Sequence, residues 1–320
     1  AYELSPQQLR MWTLFEIDRD GTAYSCPDAL RLRGELNIGA LRGAIKAVAC
    51  AQDMLRSRYG YDEATGKPMQ WIGGSEEWQV PLKEVWAESE GQMEEAMREE
   101  TAKAIDLTTG VLRVLVVHVV SDGDHEEHVV MLLLHHIAVD GDAAPLHTGL
   151  VVAYNALVAG EAVPALRPEA QYLDWVAWQR EVFTQMCRCS KPRCARGQRN
   201  ALQCTLEWWR DSLGEELPVL ELECDKPRPA VLGSASGAVQ LSVEASTASA
   251  LRKLCSEHGA TEMHGLVAAW AVLLGKYTGQ EEVMVGFALA NREHEAVRDV
   301  LGYFLNTIAV RLECGGERGF

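Results

Sequence analysis

The chain has 320 residues, 48% of them hydrophobic and 24% charged, enough apolar material for one large core or two of ordinary size. Its formal net charge of -16 argues against a nucleic-acid partner, because neutralising phosphates takes clustered Lys and Arg. No apolar run has the length of a bilayer span, and residues 1–14 lack the basic and apolar regions of a signal peptide, so the expectation is a cytoplasmic protein with no membrane partner.

In chain order, residues 5–14 read as a short helix with Ser5 at the N-cap and Pro6 at the first helical position. A strand is expected over 29–36 and a helix over 38–51, where Leu41, Ile45 and Val48 keep helical spacing. Two short strands, 55–61 and 67–72, flank D-E-A-T-G-K, in which Gly66 suits a hairpin turn. Residues 88–104 form an acidic helix with a solvated face. Strands over 111–120 and 128–136 are joined by a polar turn, and a helix over 146–157 follows.

A Gly- and Pro-punctuated connector at 159–168 divides the chain into expected domains 1–165 and 166–320. Beyond it, 171–185 is an aromatic helix and 202–213 another. A strand is expected at 239–243, helical spacing occurs at 251–255 and 265–277, and strands are expected at 282–289 and 303–312. Mixed strands and helices over two lobes point to an α/β sandwich-type architecture.

The most informative stretch is V-M-L-L-L-H-H-I-A-V-D-G-D at 130–142. Successive side chains on a strand point to opposite faces, so His135 and His136 cannot both face one site from regular β structure. One imidazole is expected to face the chemistry and the other to support it. A positioned imidazole can take a proton from an attacking amine or hydroxyl near neutral pH. Asp140 lies four positions after His136, close enough to organise the loop, and Gly141 lets the backbone turn sharply. A metal is the weaker reading, because adjacent strand histidines diverge and no further ligands stand at recognised spacing. No G-x-S-x-G elbow or phosphate-binding loop occurs. Four cysteines, Cys187, Cys189, Cys194 and Cys204, crowd one basic stretch without paired C-x2-C knuckles, so a surface loop with reduced thiols is favoured over a zinc site.

H-H-I-A-V-D-G resembles the H-H-x-x-x-D-G motif of nonribosomal peptide synthetase condensation domains. Three further stretches resemble that family in the same order: L-S-P-Q-Q-L-R-M-W at 4–12, Y-L-D-W-V-A-W-Q-R at 172–180, and V-G-F-A-L-A-N-R at 285–292 followed by L-G-Y-F-L-N-T-I-A-V-R at 301–311. The resemblance implies a two-lobed chloramphenicol acetyltransferase-like α/β fold with a tunnel between the lobes. It implies acyl transfer from a donor acyl or peptidyl thioester to an acceptor aminoacyl thioester, forming an amide. Carrier proteins and neighbouring synthetase domains are the implied partners. No intrinsic cofactor is expected, the phosphopantetheine arms arriving on the carriers. Carried over, His136 is the catalytic histidine, acting as a base or as a hydrogen-bond acceptor that positions the amine. His135, Asp140 and Gly141 are its structural support, Arg292 is the ionic partner of Asp140, and Asn306 is a candidate for lining the tunnel.

Three departures stand out. Gln52 and Asp53 occupy positions where the family usually has His-Glu, the basic Cys-rich stretch 183–204 is an insertion, and the chain stops at Phe320, where the family continues, so an incomplete second lobe is expected. The insertion reads as a tolerated surface loop, with a partner-binding loop as the alternative. His135 argues against heterocyclisation, in which Asp replaces the first motif histidine. A non-catalytic carrier-binding remnant and an epimerising or ester-forming relative remain the alternative functions.

Overall fold

The computed structural model describes residues 1–120, 126–141, 143–187, 200–227, 229–230 and 237–315. Contacts divide the chain into two compact units, Ala1–Val182 with Ala290–Asn306, and Phe183–Leu289 with Thr307–Phe320. The segment after the second unit's first strand therefore returns to pack with the residues around the histidine motif.

The first unit contains β1 (Tyr2–Glu3), α1 (Pro6–Ile17), β2 (Ser25–Arg33), α2 (Ile38–Ala51), β3 (Ser57–Tyr61), β4 (Pro68–Ile72), β5 (Leu82–Ala87), α3 (Glu90–Thr101), β6 (Leu112–Val119), β7 (Glu127–His135), α4 (Ala144–Val158) and α5 (Tyr172–Thr184). Its main sheet has the order β2-β7-β6-β5, antiparallel except for the parallel β5–β6 pair, which α3 connects. A second sheet, β1-β4-β3, is antiparallel. In β7, Val130, Leu132 and Leu134 pack against Leu41, Ile45 and Val48 of α2 and Leu150 of α4. Val129 and Met131, on the opposite face, pack with Met93 of α3. β7 is thus buried on both faces, which explains its unbroken apolar run. A third cluster gathers Trp12 and Phe15 of α1, Leu133, Ile137, Tyr172, Trp175, Tyr303 and Phe304.

The second unit contains α6 (Ala201–Leu213), α7 (Ala245–Glu257), α8 (Glu262–Thr278), β8 (Glu282–Leu289) and β9 (Asn306–Glu313), with β8 and β9 paired. Ala271, Leu274 and Val283 form its described core. Thr261 closes a capping box with His264 at the start of α8, and Gly279, at φ 69°, ends that helix in the left-handed conformation that glycine adopts without a Cβ penalty. Cys189 and Cys194 lie outside the described residues, as does most of the turn expected between β6 and β7. Among the described residues no helix is long and apolar enough to cross a membrane.

Three local readings of the sequence are corrected, and two strands had carried no reading at all. β5 and β1 had no clear signal: β1 has two residues, and β5 is a sheet-edge strand whose Trp86 is exposed, so its apolar pattern is mixed. β2 begins four residues earlier than expected and includes Pro27, which is tolerated because β2 is an edge strand. Residues 239–243 keep their alternation but form no ladder with any described residue, and Val239, Leu241 and Val243 are exposed. Periodicity marks a strand only where a neighbour takes up the backbone hydrogen bonds. Residues 303–305 precede β9, since their backbone groups are engaged by side chains described below.

Gly302 is required by packing: a Cβ there would lie 2.1 Å from Cδ2 of the fully buried Tyr172 ring. Gly302→Ala is expected to lower stability by about 3 kcal/mol, the upper range for overpacking a tight core. Urea denaturation of the two proteins measures the difference.

Candidate active site

β7 ends at His135, and the buried residues Ile137, Ala138 and Val139 form the turn that leads to Asp140. The turn is anchored by backbone pairing: His135 N donates to Val111 O at 2.9 Å and His136 N to Tyr24 O at 2.8 Å. The apolar middle of H-H-I-A-V-D-G thus fixes the loop by burial, leaving the polar ends to make specific contacts.

Hydrogen bonds assign opposite tautomers to the two imidazoles. His135 Nδ1 accepts the Ile137 amide at 3.1 Å, so that nitrogen carries a lone pair. Its ring is buried against Phe15 and Tyr24. Burial, with a smaller contribution from His136, pushes its pKa down to about 4. His136 Nδ1 lies 2.7 Å from the Val139 carbonyl oxygen, which can only accept. Nδ1 therefore carries a proton, and in the neutral imidazole Nε2 has the lone pair, the form a base or amine acceptor requires. The His136 ring is only partly buried and meets Tyr303 edge-on, with centroids 5.1 Å apart and planes at 70°.

The carboxylate of Asp140 points inward. One oxygen accepts from Arg292 Nη2 at 2.7 Å and the other from the Phe304 amide at 3.2 Å, with both charged side chains at 10% exposure or less. Arg292 also donates through Nη1 to the carbonyls of Val297 and Val300, at 2.9 and 2.8 Å, and stacks over the Phe304 ring at 4.2 Å. Removing one partner of a buried ion pair strands a charge, so the pair is a strong positional constraint. Gly141 has no left-handed φ, and a Cβ there would meet nothing within 4 Å. The turn does not use glycine's conformational freedom, a correction of the expected reading; what Gly141 leaves is open space. Asn306 is the first residue of β9 and is partly buried.

Several residues that hold this arrangement were not read as site residues from the sequence. Asn291 has φ 52°, the one positive-φ non-glycine among the described residues, and its Nδ2 donates to Phe304 O at 2.8 Å. Asparagine tolerates that conformation better than most residues, which was the available signal. The Tyr172 hydroxyl donates to Tyr303 O at 2.7 Å. Gln52 clamps the same segment, donating to Asp299 O at 2.8 Å and accepting from Leu301 N at 2.9 Å. Asp53 pairs with Arg56 at 2.6 Å and Arg167 at 3.2 Å. The Gln-Asp departure from the family's usual His-Glu therefore leaves both side chains fully used.

Two outcomes follow from the geometry. Asp140→Ala is expected to cost about 3–5 kcal/mol, with much of it regained in Asp140→Leu/Arg292→Met, because the double variant leaves no stranded charge. Denaturation of both variants against the parent measures the recovery. His135 has a folded pKa below its unfolded one, so the unfolded state binds more protons between them. Stability should be intact above pH 6.5 and fall as the pH drops toward 4, by a total on the order of 3 kcal/mol. Denaturation midpoints against pH, compared with His135→Gln, check that slope.

A model of the family described as "Condensation domain" matches residues 1–320. Tyrocidine synthase 3 of Brevibacillus parabrevis is 31% identical over 324 residues, covering 100% of this chain and 4% of that protein. Among solved structures, the X-domain from teicoplanin biosynthesis superposes with a TM-score of 0.84 at 26% identity, covering 98% of this chain and 66% of that one. The first condensation domain of the CDA synthetase, at 21% identity and a TM-score of 0.68, shares the fold over 98% of this chain and 70% of its own. The chain thus spans a small fraction of its curated relative and about two thirds of these solved domains. The match over its full length, and the mixed α/β fold of the chloramphenicol acetyltransferase-like class, establish that this chain belongs to the condensation domain family of nonribosomal peptide synthetases.

Proposed function

We propose that this chain forms an amide bond between a donor acyl or peptidyl thioester and the amine of an acceptor aminoacyl thioester, each carried on the phosphopantetheine arm of a carrier protein. The observation that carries the reading is the hydrogen bond from His136 Nδ1 to the Val139 carbonyl, because it leaves Nε2 as an acceptor on the partly exposed face of the motif. The acceptor amine attacks the thioester carbonyl carbon, forming the C–N bond. Nε2 accepts the proton from that nitrogen. The carbonyl then re-forms, the C–S bond breaks, and the donor arm leaves as a thiol after taking the proton. Positioning the amine supplies much of the acceleration through lost translational freedom, with the proton transfer adding to it.

His135, Asp140 and Arg292 act on this step through geometry. His135 supports the turn as a neutral acceptor, and the Asp140–Arg292 pair holds the turn against residues 297–304. Asn306 and the space beside Gly141 are candidate contacts for the incoming arms. Carrier proteins and neighbouring synthetase domains are the proposed partners, and the cytoplasm the proposed location.

A second reading is a domain that recruits another protein without chemistry of its own. It is favoured by the similarity to the teicoplanin X-domain, which has also been solved in complex with OxyB. Single turnover with acyl-loaded donor carrier and aminoacyl-loaded acceptor carrier, followed by intact mass, separates the two. The expected result is transfer of the donor group, reduced roughly 10²–10⁴-fold in His136→Ala. Carrier binding without transfer by the folded full-length protein would favour recruitment.

A further inference from the structure

Attack on a thioester separates charge in two directions: positive charge grows on the amine nitrogen and negative charge on the carbonyl oxygen. An acceptor such as His136 Nε2 answers only the first. A donor aimed at the oxygen typically contributes as much as the base.

Tyr303 is placed to be that donor. Its ring meets His136 edge-on at 5.1 Å, and the residue is 5% exposed. Its backbone is fixed on both sides: the Tyr303 carbonyl accepts from Tyr172, the following amide donates to Asp140, and the Phe304 carbonyl accepts from Asn291. The hydroxyl makes no hydrogen bond to any described residue, yet it is not among the buried polar atoms left without a partner, as Trp12 Nε1 is. A phenol on so fixed a backbone, its ring beside the motif histidine and its hydroxyl not spent on another described residue, suits the preorganisation that oxyanion stabilisation requires. Burial raises the phenol above its usual pKa, and Tyr24, Asp140 and Cys26 add to that rise while Arg10 opposes it, so the O–H is retained at neutral pH.

We propose that the Tyr303 hydroxyl donates a hydrogen bond to the thioester carbonyl oxygen as the acceptor amine attacks, making it a catalytic residue alongside His136. The role rests on the condensation reading above. As the C–N bond forms, the carbonyl π pair moves onto oxygen and is held by the Tyr303 O–H, which keeps its own proton. The amine proton passes to His136 Nε2. When the C–S bond breaks, the pair returns to the carbonyl and the thiolate takes the proton from His136.

The test compares wild type, His136→Ala and Tyr303→Phe in the full-length natural protein, using loaded carriers and single-turnover mass readout, with thermal melting as the check on folding. Tyr303→Phe should turn over roughly 10²-fold more slowly, with the acceptor-carrier concentration for half-maximal rate unchanged. Wild-type turnover by Tyr303→Phe, where His136→Ala is inactive, overturns the role and leaves the condensation reading standing. No transfer by wild type overturns both. Should Tyr303→Phe fail to fold, a fluorotyrosine series at position 303 decides: the rate should rise with phenol acidity while the phenol stays protonated, and a flat series overturns the role.

Discussion

Asp140 accepts from the Arg292 guanidinium with one oxygen and from the Phe304 amide with the other, so the turn after β7 and a segment 152 residues later share one carboxylate. The rest of the site is arranged around that shared anchor. Arg292 spends its other terminal nitrogen on the carbonyls of Val297 and Val300, which folds the segment back on itself. The left-handed Asn291 turns the chain so that Arg292 reaches inward, and its amide then fastens Phe304. Loss of any member would loosen the same few backbone atoms, because all of them converge on residues 297–304.

That convergence gives the histidines a rigid setting on two sides. β7 supplies one, buried on both faces and tied at its end to Val111 and Tyr24. The clamped segment supplies the other, bringing Tyr303 against the His136 ring. Rigidity of this kind would serve the proposed condensation, in which proximity is the main contribution and an error of an ångström is amplified in the rate. The chain thus devotes several buried polar contacts, each costly if left unmatched, to holding groups that themselves bear little charge.

Much of this was legible in the sequence where the signal is local. The Ser5 cap with Pro6, the helical spacing of Leu41, Ile45 and Val48, and the apolar run into His135 and His136 each depend on near neighbours, and each element formed. What was not legible depends on partners distant in the chain. The alternation of Val239, Leu241 and Val243 is the same signal that β2 carries, but no described neighbour completes a ladder. Residues 303–305 looked like the opening of a strand because they are apolar, but Tyr172 takes the Tyr303 carbonyl and Asp140 and Asn291 take the Phe304 amide and carbonyl. Gln52 illustrates the reverse: a departure from the family pattern whose meaning became plain once its two bonds to Asp299 and Leu301 were located.

The opposite tautomers of the adjacent histidines place unequal demands on replacement. The first position needs one acceptor for the Ile137 amide and a shape that fits among Phe15 and Tyr24. A neutral amide or a carboxylate can meet the acceptor requirement, which accords with the Asp that heterocyclising relatives carry there. The second position needs a donor toward Val139 and, for the proposed reaction, an acceptor on the far side of the same rigid ring. Asparagine and glutamine amides also offer both while uncharged, but only imidazole has an acceptor basic enough to take up a proton near neutral pH. Sequence drift in such domains is therefore permitted at one histidine and closed at its neighbour, although the two are chemically identical and adjacent in the chain.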